Sequence, residues 1–186
     1  MNNPTQFKDL VYLSIAIREL QQEDLVILGR LPALHRLMLE VNHKDLGIVG
    51  RRFVFGAGLF PCLDRCFMWG FEGLLVFQQG ALSRLREIYF EFHMPEVREI
   101  TDNDVAFDLG LGNLLSLEKV NVWVCASKET TCSAGGFDLG LGNLLSLQEV
   151  AVFWAESGGA SEEAKAALRH AAEIHPNRPL LVLSGR

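Results

Sequence analysis

The sequence lacks the long apolar run that a membrane-spanning helix requires. No stretch among its 186 residues approaches the roughly 20 consecutive apolar residues that cross a bilayer. The first residues, MNNPT, also lack the basic and apolar segments of a secretory signal peptide. We therefore expect no association with a membrane. We expect a location in the cytoplasm or the nucleus, unless the chain is a piece of a longer protein.

Positive charge is scarce as well. The chain has 17 Lys and Arg against 23 Asp and Glu, which gives a formal net charge of −6 at pH 7. The basic residues do not cluster, whereas nucleic-acid-binding proteins gather Lys and Arg on one face. Nucleic acid is therefore not an expected partner.

Neither the cysteines nor the motifs that usually mark catalytic sites indicate a chemical function. The four cysteines have no secretory context for disulfides, and the spacing of Cys62 and Cys66 is loose for zinc, so we expect reduced, structural thiols. The pair Gly110-x-Gly112 does not complete G-x-G-x-x-G, no P-loop is present, and the five histidines are scattered. We therefore expect no enzymatic activity, no cofactor and no bound metal.

What the sequence does contain is an internal copy. The segment FDLGLGNLLSL occurs at 107–117 and again at 137–147, and each copy is followed by alternating apolar and polar residues. A repeat of 20–50 residues is the signature of stacked structural units. A looser version of the unit, L-x-x-L-x-L, recurs along the chain. The units are Phe7–Ile17, Leu31–Val41, Phe60–Met68, Leu82–Phe92, Leu111–Val122 and Leu141–Val152.

The unit predicts an α/β solenoid, an irregular leucine-rich-repeat array. The L-x-L part of each unit is typical of a short strand, and the strands should lie parallel on the concave face. The segments 51–59 and 71–80 indicate turns or extra β-pieces on the convex side, and 108–113 is too rich in glycine for a helix interior.

The C-terminal part predicts a cap on the array. A helix at about 161–174 should begin after the N-cap Ser161, present Ile174 on its apolar face and end before Pro176. It is the one helix that the sequence predicts, and a strand at about 180–183 follows it. We expect a single domain over 1–186, with about six repeats at 7–157 and the cap at 158–186.

The alternation within each strand predicts a row of outward residues on the concave face. Four successive units place an aromatic residue there, flanked by charges, as protein-binding surfaces do. In a second interpretation these aromatics pack on loops or on each other, or the register slips by one residue and they are core. The predicted outward residues are Arg36, Met38, Glu40, Arg65, Phe67, Trp69, Glu87, Tyr89, Glu91, Lys119, Asn121, Trp123, Glu149, Ala151 and Phe153.

Several segments resemble one protein family. ALRHAAEIHPNRPLLVL at 167–183, with the repeats LLSLEKVNVWV at 114–124 and LLSLQEVAVFW at 144–154, is similar to the C-terminal end of plant nucleotide-binding, leucine-rich-repeat disease-resistance proteins, most of all the cereal members. LGRLPALHRLMLEV at 28–41 looks like one of their middle repeats. The resemblance covers nearly the whole chain.

The resemblance implies a protein-interaction module of an intracellular immune receptor. In that family the repeats take part in recognising pathogen effectors and hold the receptor inactive. The implied partners are a pathogen effector, a host protein, or the nucleotide-binding domain of the same receptor. Since no P-loop is present, the family's ATPase activity does not carry over. The alternative is a truncated or degenerate fragment with only a scaffold role.

Overall fold

The computed structural model describes residues 7–41, 52–70, 74–93, 110–125, 140–154 and 162–185. Its strands and helices are listed in chain order. They are β1 (Tyr12–Ile17), α1 (Gln22–Leu28), β2 (Arg36–Val41), β3 (Arg52–Phe55), β4 (Arg65–Trp69), β5 (Leu74–Phe77), β6 (Glu87–His93), β7 (Lys119–Cys125), β8 (Glu149–Trp154), α2 (Glu162–Ile174) and β9 (Leu180–Gly185).

Seven strands form one sheet in the order β1-β2-β4-β6-β7-β8-β9, and every neighbouring pair is parallel. Parallel neighbours cannot be joined by a tight turn, so the chain crosses over behind the sheet between strands. One strand from each predicted unit therefore enters the sheet next to the previous one. The parallel arrangement predicted from the leucine pattern is confirmed.

The register aligns equivalent positions of the units. Leu37 lies beside Cys66, Cys66 beside Ile88, Ile88 beside Val120 and Val120 beside Val150. Cys66 thus occupies a leucine position and is fully buried. Because side chains alternate along a strand, this alignment puts every second residue in the core. The inward residues of β2, β4, β6, β7 and β8 with at most 3% exposure are Leu37, Leu39, Val41, Cys66, Met68, Ile88, Phe90, Val120, Val122, Val124, Val150, Val152 and Trp154.

One backbone motif recurs at the start of successive strands of the seven-stranded sheet. The carbonyl oxygen of His35 accepts the N–H groups of Asp64 (2.9 Å) and Arg65 (3.1 Å). In the next unit, the carbonyl oxygen of Asp64 accepts the N–H groups of Arg86 (2.9 Å) and Glu87 (3.1 Å). Arg86 and Glu118 repeat the pattern. Because each unit satisfies the donors of the following one, the strands begin level with each other.

The segments behind the sheet include a second, smaller sheet. Strands β3 and β5 pair in parallel, and their residues Phe53, Phe55 and Phe77 are at most 2% exposed. The rings of Phe55 and Phe77 stack with centroids 5.1 Å apart. Within the described residues, the expected extra β-pieces on this side are confirmed.

The two identical segments form matching turns. Each has a short 3-10 helix, Leu111–Asn113 and Leu141–Asn143, preceded by a glycine with a positive φ: 68° at Gly110 and 63° at Gly140. The side-chain amide of Asn113 donates to the carbonyl oxygen of Phe77 (2.7 Å) and so fastens this turn to β5. Residues 107–109 and 137–139, the first part of each copy, lie outside the described residues.

The C-terminal helix and strand have one difference from expectation. The sequence put Ile174 on the buried face of the helix, but Ile174 is 68% exposed, whereas His175 is 3% exposed. Leu168, Ala172 and His175 follow a helical spacing of four and three residues, and this set defines the inner face. Ser161, the predicted N-cap, lies outside the described residues.

The expectation of a single helix was wrong. Helix α1 buries Leu25 (0% exposed) and Leu28 (4%) against the core. Its first residue, Gln22, accepts the N–H of Val54 through Oε1 and donates to the carbonyl oxygen of Val54 through Nε2, both at 2.8 Å. A helix of seven residues is too short for its period to emerge from the sequence.

Candidate interaction surface on the outward face of the sheet

The face of the seven-stranded sheet that points away from the core carries three rows of side chains, and we call it the outward face. The charged row is Tyr12, Arg36, Arg65, Glu87, Lys119, Glu149 and Leu180. The middle row is Ser14, Met38, Phe67, Tyr89, Asn121, Ala151 and Val182. The far row is Ala16, Glu40, Trp69, Glu91, Trp123, Phe153 and Ser184.

Every residue that the sequence placed on the concave face therefore lies in one of these rows. A slip of one residue is excluded, because the intervening positions are the buried ones. The predicted set left out the contributions of β1 and β9, and in β9 (LLVLSG) polar and apolar residues do not alternate clearly. At the edges of the sheet Tyr12 is 48% exposed and Leu180 63%.

Ion pairs organise the charged row. Nε of Arg65 lies 3.4 Å from Oε2 of Glu87, and Nζ of Lys119 lies 2.9 Å from Oε2 of Glu149. The hydrogen bond with Glu149, together with its charge, raises the pKa of Lys119. These side chains are partly exposed, so the pairs order the surface more than they stabilise the fold.

Aromatic side chains form two stacked groups on the outward face. In the first, Phe67 stacks on Tyr89 with ring centroids 4.6 Å apart and on Trp69 at 5.8 Å. In the second, Trp123 stacks on Phe153 at 5.4 Å. All five rings have intermediate exposure. We call them the first aromatic group and the second aromatic group. The aromatics do pack on each other, and they still present ring surface to solvent.

The geometry can be compared with known proteins. A family model described as a leucine-rich repeat region matches residues 1–134, which is more than half of the chain. The chain belongs to the leucine-rich-repeat family. No curated protein matches it significantly, and neither does any solved structure. This match agrees with the fold, in which each repeat adds a parallel strand to an α/β structure.

Two positions on the outward face of these repeats are not available for contact. Asn121 is 8% exposed and Ala151 only 2%, although both belong to the middle row. They lie between the Lys119–Glu149 ion pair on one side and the second aromatic group on the other. The prediction of Asn121 as a contact residue is wrong for this reason, since larger neighbours in adjacent rows flank its short side chain.

Two side chains of the middle row, Tyr89 and Met38, contact residues of the charged row. Burial, followed by the hydrogen bond with Glu87 and the charge of that carboxylate, raises the pKa of Tyr89. The hydroxyl of Tyr12 donates to Sδ of Met38 at 3.0 Å. The phenol of Tyr89 is therefore neutral near pH 7. On the outward face Tyr89 presents an aromatic ring that ends in one hydroxyl group.

Two clefts lined by described residues lie outside this face. One cleft, of about 610 Å³, is lined by His35, Asp64, Arg86 and Glu118 among others. Nδ1 of His35 lies 3.5 Å from Oδ2 of Asp64, and Arg86 and Glu118 form an ion pair at 3.8 Å. A cleft of about 690 Å³ lies at the end of the array beside Leu181 and Leu183.

Neither a metal-ligand cluster nor a membrane span is found in the part of the chain that the structure describes. No three His, Cys, Asp or Glu side chains there lie close enough together to hold a metal ion. Among the same residues, no helix has the length and apolar character to cross a membrane.

Proposed function

We propose that this chain is the protein-recognition module of a plant intracellular immune receptor. The repeats build a solenoid whose concave side is the outward face, and a protein partner binds there. The module has no catalytic activity and works in the cytoplasm or the nucleus. Its partner is a pathogen effector, a host protein, or the nucleotide-binding domain of the same receptor, which it would hold inactive.

The observation that carries the binding role is the pair of aromatic groups. Five stacked rings are partly exposed on four adjacent strands, at centroid distances of 4.6 to 5.8 Å. Ion pairs border them in the charged row. Aromatic rings held rigid by stacking lose little conformational freedom on binding, and they are frequent energetic centres of protein interfaces.

Support for the immune receptor comes from the C-terminal cap. The resemblance to plant disease-resistance proteins is most specific at 167–183, where a helix, the turn HPNRP and a strand follow one another. The structure has α2, a turn and β9 in this order. His175 sits within the turn, where its Nδ1 accepts the N–H of Asn177 (3.1 Å), and this contact gives the histidine a structural role.

Substitutions in the aromatic groups test the binding role. Peptides selected on the immobilised chain from a displayed random library serve as probes. We expect Trp69→Ala, Tyr89→Ala and Trp123→Ala each to weaken binding about tenfold, as central aromatics do in other interfaces. The matched controls are Leu115→Ala and Leu145→Ala, whose side chains are 64% and 69% exposed outside the outward face. Unchanged binding to three folded aromatic variants would contradict the role of this face.

The receptor assignment has its own test. Mapping the full transcript should reveal, upstream and in frame, a domain with a G-x-x-x-x-G-K-[ST] loop. A complete reading frame without such a domain would contradict the receptor and favour an independent repeat protein.

A further inference from the structure

We propose that the part of the outward face on β2 and β4 has a subsite for an acidic side chain of an extended segment in the protein partner. Arg36 and Arg65 would receive the carboxylate, and the first aromatic group would receive an apolar side chain nearby. The inference rests on the proposed function, because it names the chemistry of the partner at the same face.

The starting observation is that Arg36 and Arg65 are direct register partners on β2 and β4. Neighbouring strands lie about 4.8 Å apart, and like charges side by side destabilise a sheet. Farther along the charged row the signs alternate through Glu87, Lys119 and Glu149. The adjacent arginines are thus a local exception to a row that otherwise places opposite charges together.

Neighbouring acids do not compensate for Arg36. Glu87 is engaged by Arg65 at 3.4 Å, and Asp64 lies 3.5 Å from His35. Arg36 makes no ion pair with the residues that the structure describes, and its other neighbour in the row is Tyr12, which offers no carboxylate. One exposed guanidinium is therefore left to bind an external anion, with a second guanidinium beside it.

The arginine pair is suited to a carboxylate. A guanidinium presents parallel N–H donors that match the two oxygens of a carboxylate, and such charge-assisted bonds are among the stronger polar contacts. Arg65 keeps about half of its side chain exposed (49%) while it contacts Glu87. A carboxylate placed between the two arginines would relieve their mutual repulsion.

The apolar part of the subsite begins two residues farther along each strand. Phe67 follows Arg65 on the same face, and Met38 follows Arg36 in the same way. Two residues of a strand span about 6.6 Å. An extended partner segment has the same spacing, so an acidic residue followed two positions later by an apolar or aromatic residue fits both parts of the subsite.

The surrounding charges favour a protein segment over nucleic acid. Glu87 and Glu91 lie on the neighbouring strand of the same face, and the whole chain has a formal net charge of −6. A phosphate backbone would bring many negative charges against these acids, whereas a single carboxylate needs only the arginine pair.

The test uses peptides selected on the immobilised wild-type chain from a displayed random library. We expect the selected sequences to be enriched in Asp or Glu with an apolar residue two positions later. Arg36→Gln should weaken their binding about tenfold and reduce its dependence on salt, and Arg36→Lys should lose less. The control is Arg30→Gln, which removes the same charge from an exposed turn outside the face and should change binding less than about twofold.

Stability gives a second measurement. Because Arg36→Gln removes a repulsion and breaks no ion pair with a described residue, its melting temperature should equal or exceed that of the wild type. A clear decrease would show a structural role for Arg36 and overturn the subsite.

The two proposals fail in different ways. If the selected peptides need Trp69 and Trp123 but show no enrichment in acids, and Arg36→Gln behaves like Arg30→Gln, the subsite is refuted while the recognition face stands. If binding ignores all the substitutions on the outward face, both proposals are refuted.

Discussion

The identical copies offer a matched experiment on how the repeats stack. Gly112 and Gly142 are equivalent residues in the two 3-10 helices, and neither has the positive φ that would exclude alanine. Their surroundings differ. A Cβ at Gly142 would meet no atom within 4 Å, whereas a Cβ at Gly112 would lie 3.1 Å from Nδ2 of Asn143 and 3.2 Å from the carbonyl oxygen of Gly140.

The magnitudes follow from these distances. Alanine in place of glycine at a permitted conformation stabilises a protein by about 0.4–1 kcal/mol, because it restricts the unfolded chain. Gly142→Ala should show this gain in full. At Gly112 the crowding adds a cost of about 1–2 kcal/mol, at the lower end of overpacking. The exposed amide of Asn143 can turn away, but the Cβ of Asn143 (3.2 Å) and the Gly140 carbonyl (3.2 Å) cannot. We therefore expect Gly112→Ala to lower stability while Gly142→Ala raises it.

Denaturant unfolding followed by tryptophan fluorescence gives the free energies, and thermal unfolding gives an independent comparison. A difference of 1–2 kcal/mol corresponds to roughly 2–8 °C in melting temperature for a chain of this size. Equal stabilisation by both alanines would refute the close approach of the fifth and sixth repeats at this edge.

Two further predictions concern the core. Leu114 is 0% exposed and Leu115 is 64% exposed. Leu114→Ala should therefore lower the free energy of unfolding by about 2–5 kcal/mol, and Leu115→Ala should change it by at most about 0.5 kcal/mol. Similar losses for both variants in denaturant titrations would contradict the burial of Leu114 beside an exposed Leu115. Burial raises the pKa of the Cys66 thiol from 9.0 to about 12. The unfolded chain therefore loses this proton first, and stability falls as pH rises from about 9 to 12. Cys66→Val should therefore reduce the loss of unfolding free energy between neutral pH and about pH 11. If the free energy of unfolding falls with pH as steeply in this variant as in the wild type, the thiol is not buried.

Much of the sheet could be predicted because its information is local. In β4, for example, Cys66 and Met68 alternate with Arg65, Phe67 and Trp69, and the alternation sets which face each side chain occupies. The leucines before the strands recur at a similar distance in every unit, so equivalent residues become neighbours. The outward positions of all five aromatic rings followed from these two patterns.

The remaining features depend on contacts between distant parts of the chain. The burial of Asn121 is a result of its neighbours in adjacent strands and rows, which no local pattern reports. The bond from Asn113 to the carbonyl oxygen of Phe77 joins residues 36 positions apart. Helix α1 depends on two leucines and on the contact of Gln22 with Val54, and these are too few for a periodic signal. The ion pairs and ring stacks likewise appear only once the register is known.

In the proposed module the identical segments are scaffold, and the residues that follow them, above all Trp123 and Phe153, carry the part of recognition that belongs to the second aromatic group. The most direct test exchanges these residues between the two copies in one variant, K119E/E149K/W123F/F153W. It keeps the composition, the net charge, the ion pair in reversed order and the stacked pair of rings. We predict a melting temperature within a few degrees of the wild type and a loss of about tenfold or more in affinity for peptides selected on the wild-type outward face. A folded variant that binds these peptides as tightly as the wild type would contradict the claim.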